Sequence, residues 1–144
     1  MSRMYLFSLF ILALVLFQSQ ASSSENPQGA KETPLMTKTL PDVPGKEGLV
    51  ETVLLSPGEV VPAHRHNADG FGYVLEGSII TQVKGGKPQT VHPGDVFYES
   101  PTDIHVDSRN ASQTQPAKLL VFYVKKIGAP PTVVLPRLPA ENGK

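Results

Sequence analysis

The chain has 144 residues, enough for one domain and not comfortably for two. It contains no cysteine, so neither a disulfide nor a thiolate metal site can contribute. Lys plus Arg and Asp plus Glu number 13 each, which leaves no basic footprint for nucleic acid and no acidic tail.

The N-terminus has the layout of an export signal. Arg3 supplies a short positive segment, Met4 to Phe17 is an uncharged apolar run, and the small residues Ser19 and Ala21 precede a cut after Ala21. The run falls short of the ~20 residues that a membrane-spanning helix needs. Residues 1–21 are therefore expected to be removed, leaving a periplasmic or secreted protein with no stable membrane anchor. Residues 22–46 are rich in Ser, Pro, Gly and charge and show no sustained periodicity. They read as an extended or disordered leader, with Leu35 to Leu40 lying along the domain.

From Gly48 onward short β-like runs alternate with turn residues. Leu49 to Leu55 ends at Ser56-Pro57-Gly58, and Glu59 to His66 runs up to a polar break at Asn67 to Gly70. Phe71 to Leu75 ends at Glu76-Gly77, and Ser78 to Val83 ends at Lys84 to Lys87. Gln89 to Val91, Val96 to Tyr98, His105 to Ser108 and the long run Ala117 to Lys125 complete the series. Short strands at roughly ten-residue spacing, with no helical stripe among them, predict an all-β barrel or sandwich over residues 47–126. Residues 127–144 form a Pro-rich tail. Pro130, Pro131, Pro136 and Pro139 bar it from a helix or a central strand, although Thr132 to Leu135 could add to an edge.

The chemistry concentrates at His64-Arg65-His66. Side chains alternate along a strand, so His64 and His66 share one face and Arg65 takes the other. Two imidazoles pointing into a barrel make half of a metal site, and His105 can supply a third. His92, in the turn Val91-His92-Pro93-Gly94, reads as a surface residue. Tyr98 reads as barrel packing. Asn110-Ala111-Ser112 is a glycosylation sequon, relevant only where secreted proteins are glycosylated.

With these motifs in place, residues 47–126 resemble the cupin superfamily, whose members are jelly-roll barrels built as a double-stranded β-helix. Gly58, His64, His66 and Gly77 stand at the offsets of the family's first motif. Gly94-Asp95 opens its second motif, and His105 follows eleven residues after Gly94. The chain departs from the pattern at Gly70, where the first motif carries Glu, and around Ser100, Thr102 and Arg109 in the second. The resemblance implies a divalent transition metal, Fe, Zn, Mn, Ni or Cu, held by His64, His66 and His105. It also implies a homodimer. With Glu absent, three neutral imidazoles would leave the ion its full charge and favour anionic ligands. Asp69, one residue from the vacated position, and Glu99, near the end of a strand in the second motif, are the candidates for a fourth ligand or a supporting role.

Two functions follow as expectations. One is a metal-dependent oxygenase, isomerase or decarboxylase acting on a small organic acid or carbonyl compound. The other is a non-catalytic module that binds metal or a small ligand for sensing or sequestration. No general base stands out in the sequence, and the fold alone does not choose between them.

Overall fold

The computed structural model describes residues 30–136. The expected export signal, residues 22–29 of the leader and the last eight residues lie outside them. Ten strands and no helix make up the described chain. In order they are β1 (Lys31–Thr39), β2 (Lys46–Leu55), β3 (His64–His66), β4 (Ala68–Glu76), β5 (Ile79–Val83), β6 (Gln89–Val91), β7 (Val96–Glu99), β8 (His105–Asn110), β9 (Ala117–Lys126) and β10 (Thr132–Val134). They form two five-stranded antiparallel sheets, ordered β1-β2-β9-β4-β7 and β10-β3-β8-β5-β6. This is the double-stranded β-helix.

Alternation sets the layers. In β9, Ala117, Leu119, Val121, Tyr123 and Lys125 are buried, while Phe122 and Lys126 are exposed. In β2, Leu49, Glu51 and Leu55 face inward. The apolar ones among these buried residues meet Val74, Ile79 and Val91 in a single core between the sheets. Connections are tight where glycine permits it. Gly77 has φ of 67°, and a Cβ there would stand 2.5 Å from the Pro116 carbonyl oxygen. Both a left-handed backbone and the lack of a side chain are required at that corner.

The structure differs from the sequence reading in four places. The sheet begins at Lys31 rather than at residue 47, because part of the leader pairs with β2 along its length as β1. Every residue of β1 is exposed, so it carries no buried alternation by which a strand is recognised. Asn67 to Gly70 is not a break, since β4 starts at Ala68 with Ala68 and Gly70 buried. The strand expected over Glu59 to His66 is cut to three residues by Pro62, which cannot donate to a ladder. Tyr98 lies on the outer face of β7, 54% exposed, and not in the barrel. The Pro-rich tail does supply an edge, as β10 pairs with β3.

Candidate metal centre

The second sheet brings the three histidines together. His64 and His66 alternate inward from β3, and His105 is the register partner of His64 across the β3–β8 pair. The His64 and His105 rings stack at 4.9 Å between centroids, and His66 meets them edge-on at 5.1 and 5.2 Å. All three are buried. One ring nitrogen from each lies within 4.8 Å of those of the others.

Which nitrogens face the centre follows from what the opposite ones touch. His64 Nδ1 lies 2.8 Å from the Pro62 carbonyl oxygen, an acceptor only, so Nδ1 carries the proton and Nε2 keeps its lone pair. His66 Nδ1 meets the Thr132 hydroxyl at 3.3 Å, and His105 Nδ1 meets the Thr81 hydroxyl at 3.4 Å. Such outer contacts fix the orientation of metal-binding imidazoles. His105 Nε2 is buried with no hydrogen-bond partner. A buried orphan nitrogen is costly unless something binds it, and a metal ion fits that vacancy in the bonding pattern.

Electrostatics favour the same use. Burial, followed by the neighbouring imidazoles, pushes His66 down to about 3. Burial and His64 push His105 down to about 4. Burial also lowers His64, against the Pro62 contact. All three are neutral at physiological pH, so a cation would not have to displace protons from them.

Glu99 joins this group from the other sheet. Its Oε2 lies 3.2 Å from His66 Nε2 and its Oε1 lies 3.7 Å from His105 Nε2. Burial, reinforced by Asp103, raises its carboxyl to about 7. Asp69 is not brought in. It sits on the outer face of β4 and accepts a hydrogen bond from Tyr98 Oη at 2.7 Å. Gly70, not Asp69, is the inward residue, and strict alternation in β4 is the reason.

A cavity of about 80 Å³ adjoins the cluster. Aliphatic and aromatic side chains such as Val53, Val61, Phe97 and Val121 line it, with Glu32, Arg109 and Thr132 as polar members. Glu32 and Thr132 come from β1 and β10, segments that gave no functional signal in the sequence. The turn-rich, proline-rich surroundings of Thr132 hid it, and only the edge-strand reading of 132–135 pointed toward it.

A cupin domain profile matches residues 51–123. The chain belongs to the cupin family. Solved structures agree on the fold. The cupin resembles the DMSP lyase DddQ of Ruegeria pomeroyi at 19% identity and a TM-score of 0.61, over 84% of this chain and 58% of that one. It resembles TT1209 of Thermus thermophilus at 27% identity and a TM-score of 0.55, over 69% and 87% of the two chains. A recombinant oxalate oxidase in complex with glycolate aligns at 23% identity and a TM-score of 0.56, over 76% of this chain and 57% of that one. The cupin thus spans under two thirds of the length of the lyase and of the oxidase. No curated protein matches its sequence.

Proposed function

We propose that this cupin binds one divalent transition metal through His64, His66 and His105 and presents it to a small organic acid or carbonyl compound, as an oxygenase, isomerase or decarboxylase. The observation that carries the reading is the convergence of three neutral, buried imidazoles, with the Nε2 of His105 left without a partner. A bound divalent ion would supply Lewis acidity toward a carboxylate or carbonyl oxygen. The protein's own residues hold the imidazole tautomers and line a largely apolar cavity beside them. The oxalate oxidase with glycolate offers a precedent for a small acid on this fold. At that identity the likeness carries the fold alone, so the ligand class rests on the chemistry of the site.

Elemental analysis of purified protein, reconstituted with metal, should give near one equivalent, lost in His66→Ala. Absence of metal in the reconstituted wild type would overturn the reading. The cavity admits only a small ligand, which suits a small acid substrate and a non-catalytic small-ligand module alike. Oxygen uptake or product formation with a panel of small carboxylates and diketones separates the two. Turnover supports the enzyme, and binding without turnover supports the module.

Two further parts belong to the proposal. The protein is exported, a reading supported by Arg3, the Met4 to Phe17 run and Ala21. The mass of the mature chain, recovered outside the cytoplasm and starting at Ser22, would test it. The cupin also pairs with a second copy through the outer face of its first sheet. There Phe71 and Val96 are 50% and 76% exposed, and a groove of about 530 Å³ runs among Val50, Tyr73, Tyr98 and Phe122. Aromatic and aliphatic side chains gathered on one sheet face fit an interface core better than free surface. Phe71→Glu should convert dimer to monomer in a mass measurement at constant protein concentration, and a monomeric wild type would refute the pairing.

A further inference from the structure

The first sheet holds an exchange of side chains between neighbouring strands. β4 and β7 pair antiparallel with Gly70 opposite Glu99 and Gly72 opposite Phe97. All four positions face the barrel interior, since Phe71 and Tyr73 of β4 and Val96 and Tyr98 of β7 are the exposed residues between them. The inward face of β4 is thus bare at two successive positions, and β7 fills both spaces. A Cβ on Gly72 would lie 2.1 Å from the Phe97 ring. A Cβ on Gly70 would lie 3.2 Å from Glu99 Oε2 and 3.0 Å from Tyr123 Cε1. Directly opposed residues of an antiparallel pair have Cβ atoms about 4.5–5.5 Å apart. A carboxylate can therefore reach one interior point from either strand.

Gly70 is the position at which the first cupin motif would carry its Glu, counting from His66 and from Gly77. From the register and the contacts we infer that Glu99 supplies the missing carboxylate from the neighbouring strand, as a fourth ligand beside His64, His66 and His105. Gly70 is the vacancy that admits it. Glu99 Oε2 already stands 3.2 Å from His66 Nε2, and Oε1 stands 3.7 Å from His105 Nε2. Both are small movements away from sharing one ion. The inference rests on the metal reading above and changes its chemistry. Three imidazoles and a carboxylate lower the charge of a divalent site to +1, so the pull on anions expected of a bare three-histidine centre is weakened. The ligand set also draws on both sheets, with the histidines on β3 and β8 and the carboxylate on β7.

Co(II) alone serves as the probe, read by titration and by its visible absorption. Wild type, Glu99→Gln, Glu99→Gly and the exchange variant Gly70→Glu/Glu99→Gly are compared, with circular dichroism to confirm folding. Glu99→Gln keeps the size of the side chain and removes its anionic donor. It should weaken Co(II) by more than about a hundredfold, beyond the range for disturbing an outer contact, and should alter the visible bands; a smaller loss with unchanged bands would make Glu99 an outer contact and overturn the inference. The exchange variant should recover most of the affinity that Glu99→Gly loses, because the carboxylate returns to the same interior point from β4. Unchanged affinity and spectrum in Glu99→Gln would overturn the inference while leaving the three-histidine reading standing. No Co(II) binding by wild type would overturn both. A folded exchange variant no better than Glu99→Gly would overturn the equivalence of the two positions.

Discussion

Asn110 and Glu51 are among the most completely buried polar side chains, and they meet opposite fates. Asn110 Nδ2 donates to the carbonyls of Leu55, Ser56 and Gln115, and its Oδ1 accepts from the Ser112 amide. This side chain ties the end of β8 to the end of β2. A glycan on the sequon that begins at Asn110 would break these contacts. Asn110→Ala should cost about 2–4 kcal/mol in urea denaturation, because buried carbonyls are left unpaired. Glu51 is 2% exposed, and its Oε1 has no partner. Burial first, then the negative charge of Glu32, raise it to about 7 against the pull of Lys125. The fold thus holds the Glu51 proton more tightly than the unfolded chain does. The contribution of this group is full below about 4.5, falls as pH rises toward 7, and stays reduced above it. In the metal-free protein Glu99 acts with the same sign. Glu51→Gln should match wild type near pH 5 and exceed it in denaturation midpoint near pH 8. A parallel pH profile in the two proteins would contradict this.

At the scale of elements, the short strand β10 matters more than its length suggests. It is stitched to the histidine strand by the Asn67 amide to the Pro131 carbonyl and the Leu135 amide to the Ala63 carbonyl, both at 2.8 Å. Its Thr132 hydroxyl then meets His66 Nδ1. Thr132→Val keeps the shape and removes that contact, so metal affinity should fall about tenfold with folding intact. Isothermal titration with Zn or Co reads the change. These elements also show how legible the chain is. His64, His66 and His105 could be brought together on paper because two-residue alternation and motif spacing are local properties. Glu99 could be named as a candidate, but its partnership with Gly70 depends on the β4–β7 register, which no local pattern encodes. β1 stayed hidden because both of its faces are exposed, and hydrophobic alternation had nothing to report.

For the whole molecule, the two sheets meet around the histidine cluster, with His64, His66 and His105 on one and Glu99 on the other. An ion bound there would clamp the barrel together, and binding to the folded state alone stabilises it by mass action. At free metal a hundredfold above Kd the gain is about 2.7 kcal/mol, which for a domain of this size raises Tm by about 10 °C. A chelator should reverse the shift. His105→Ala should abolish it while retaining a cooperative transition. An equal shift in that variant would place the ion elsewhere.

The most direct measurement is a crystal structure of the metal-loaded protein with anomalous scattering recorded at the edge of the metal. One peak per chain is expected between β3, β7 and β8, about 2.0–2.2 Å from the Nε2 atoms of His64, His66 and His105 and from one oxygen of Glu99. A peak held by the three histidines with Glu99 turned away would contradict the carboxylate exchange. No peak among the histidines would contradict the account as a whole.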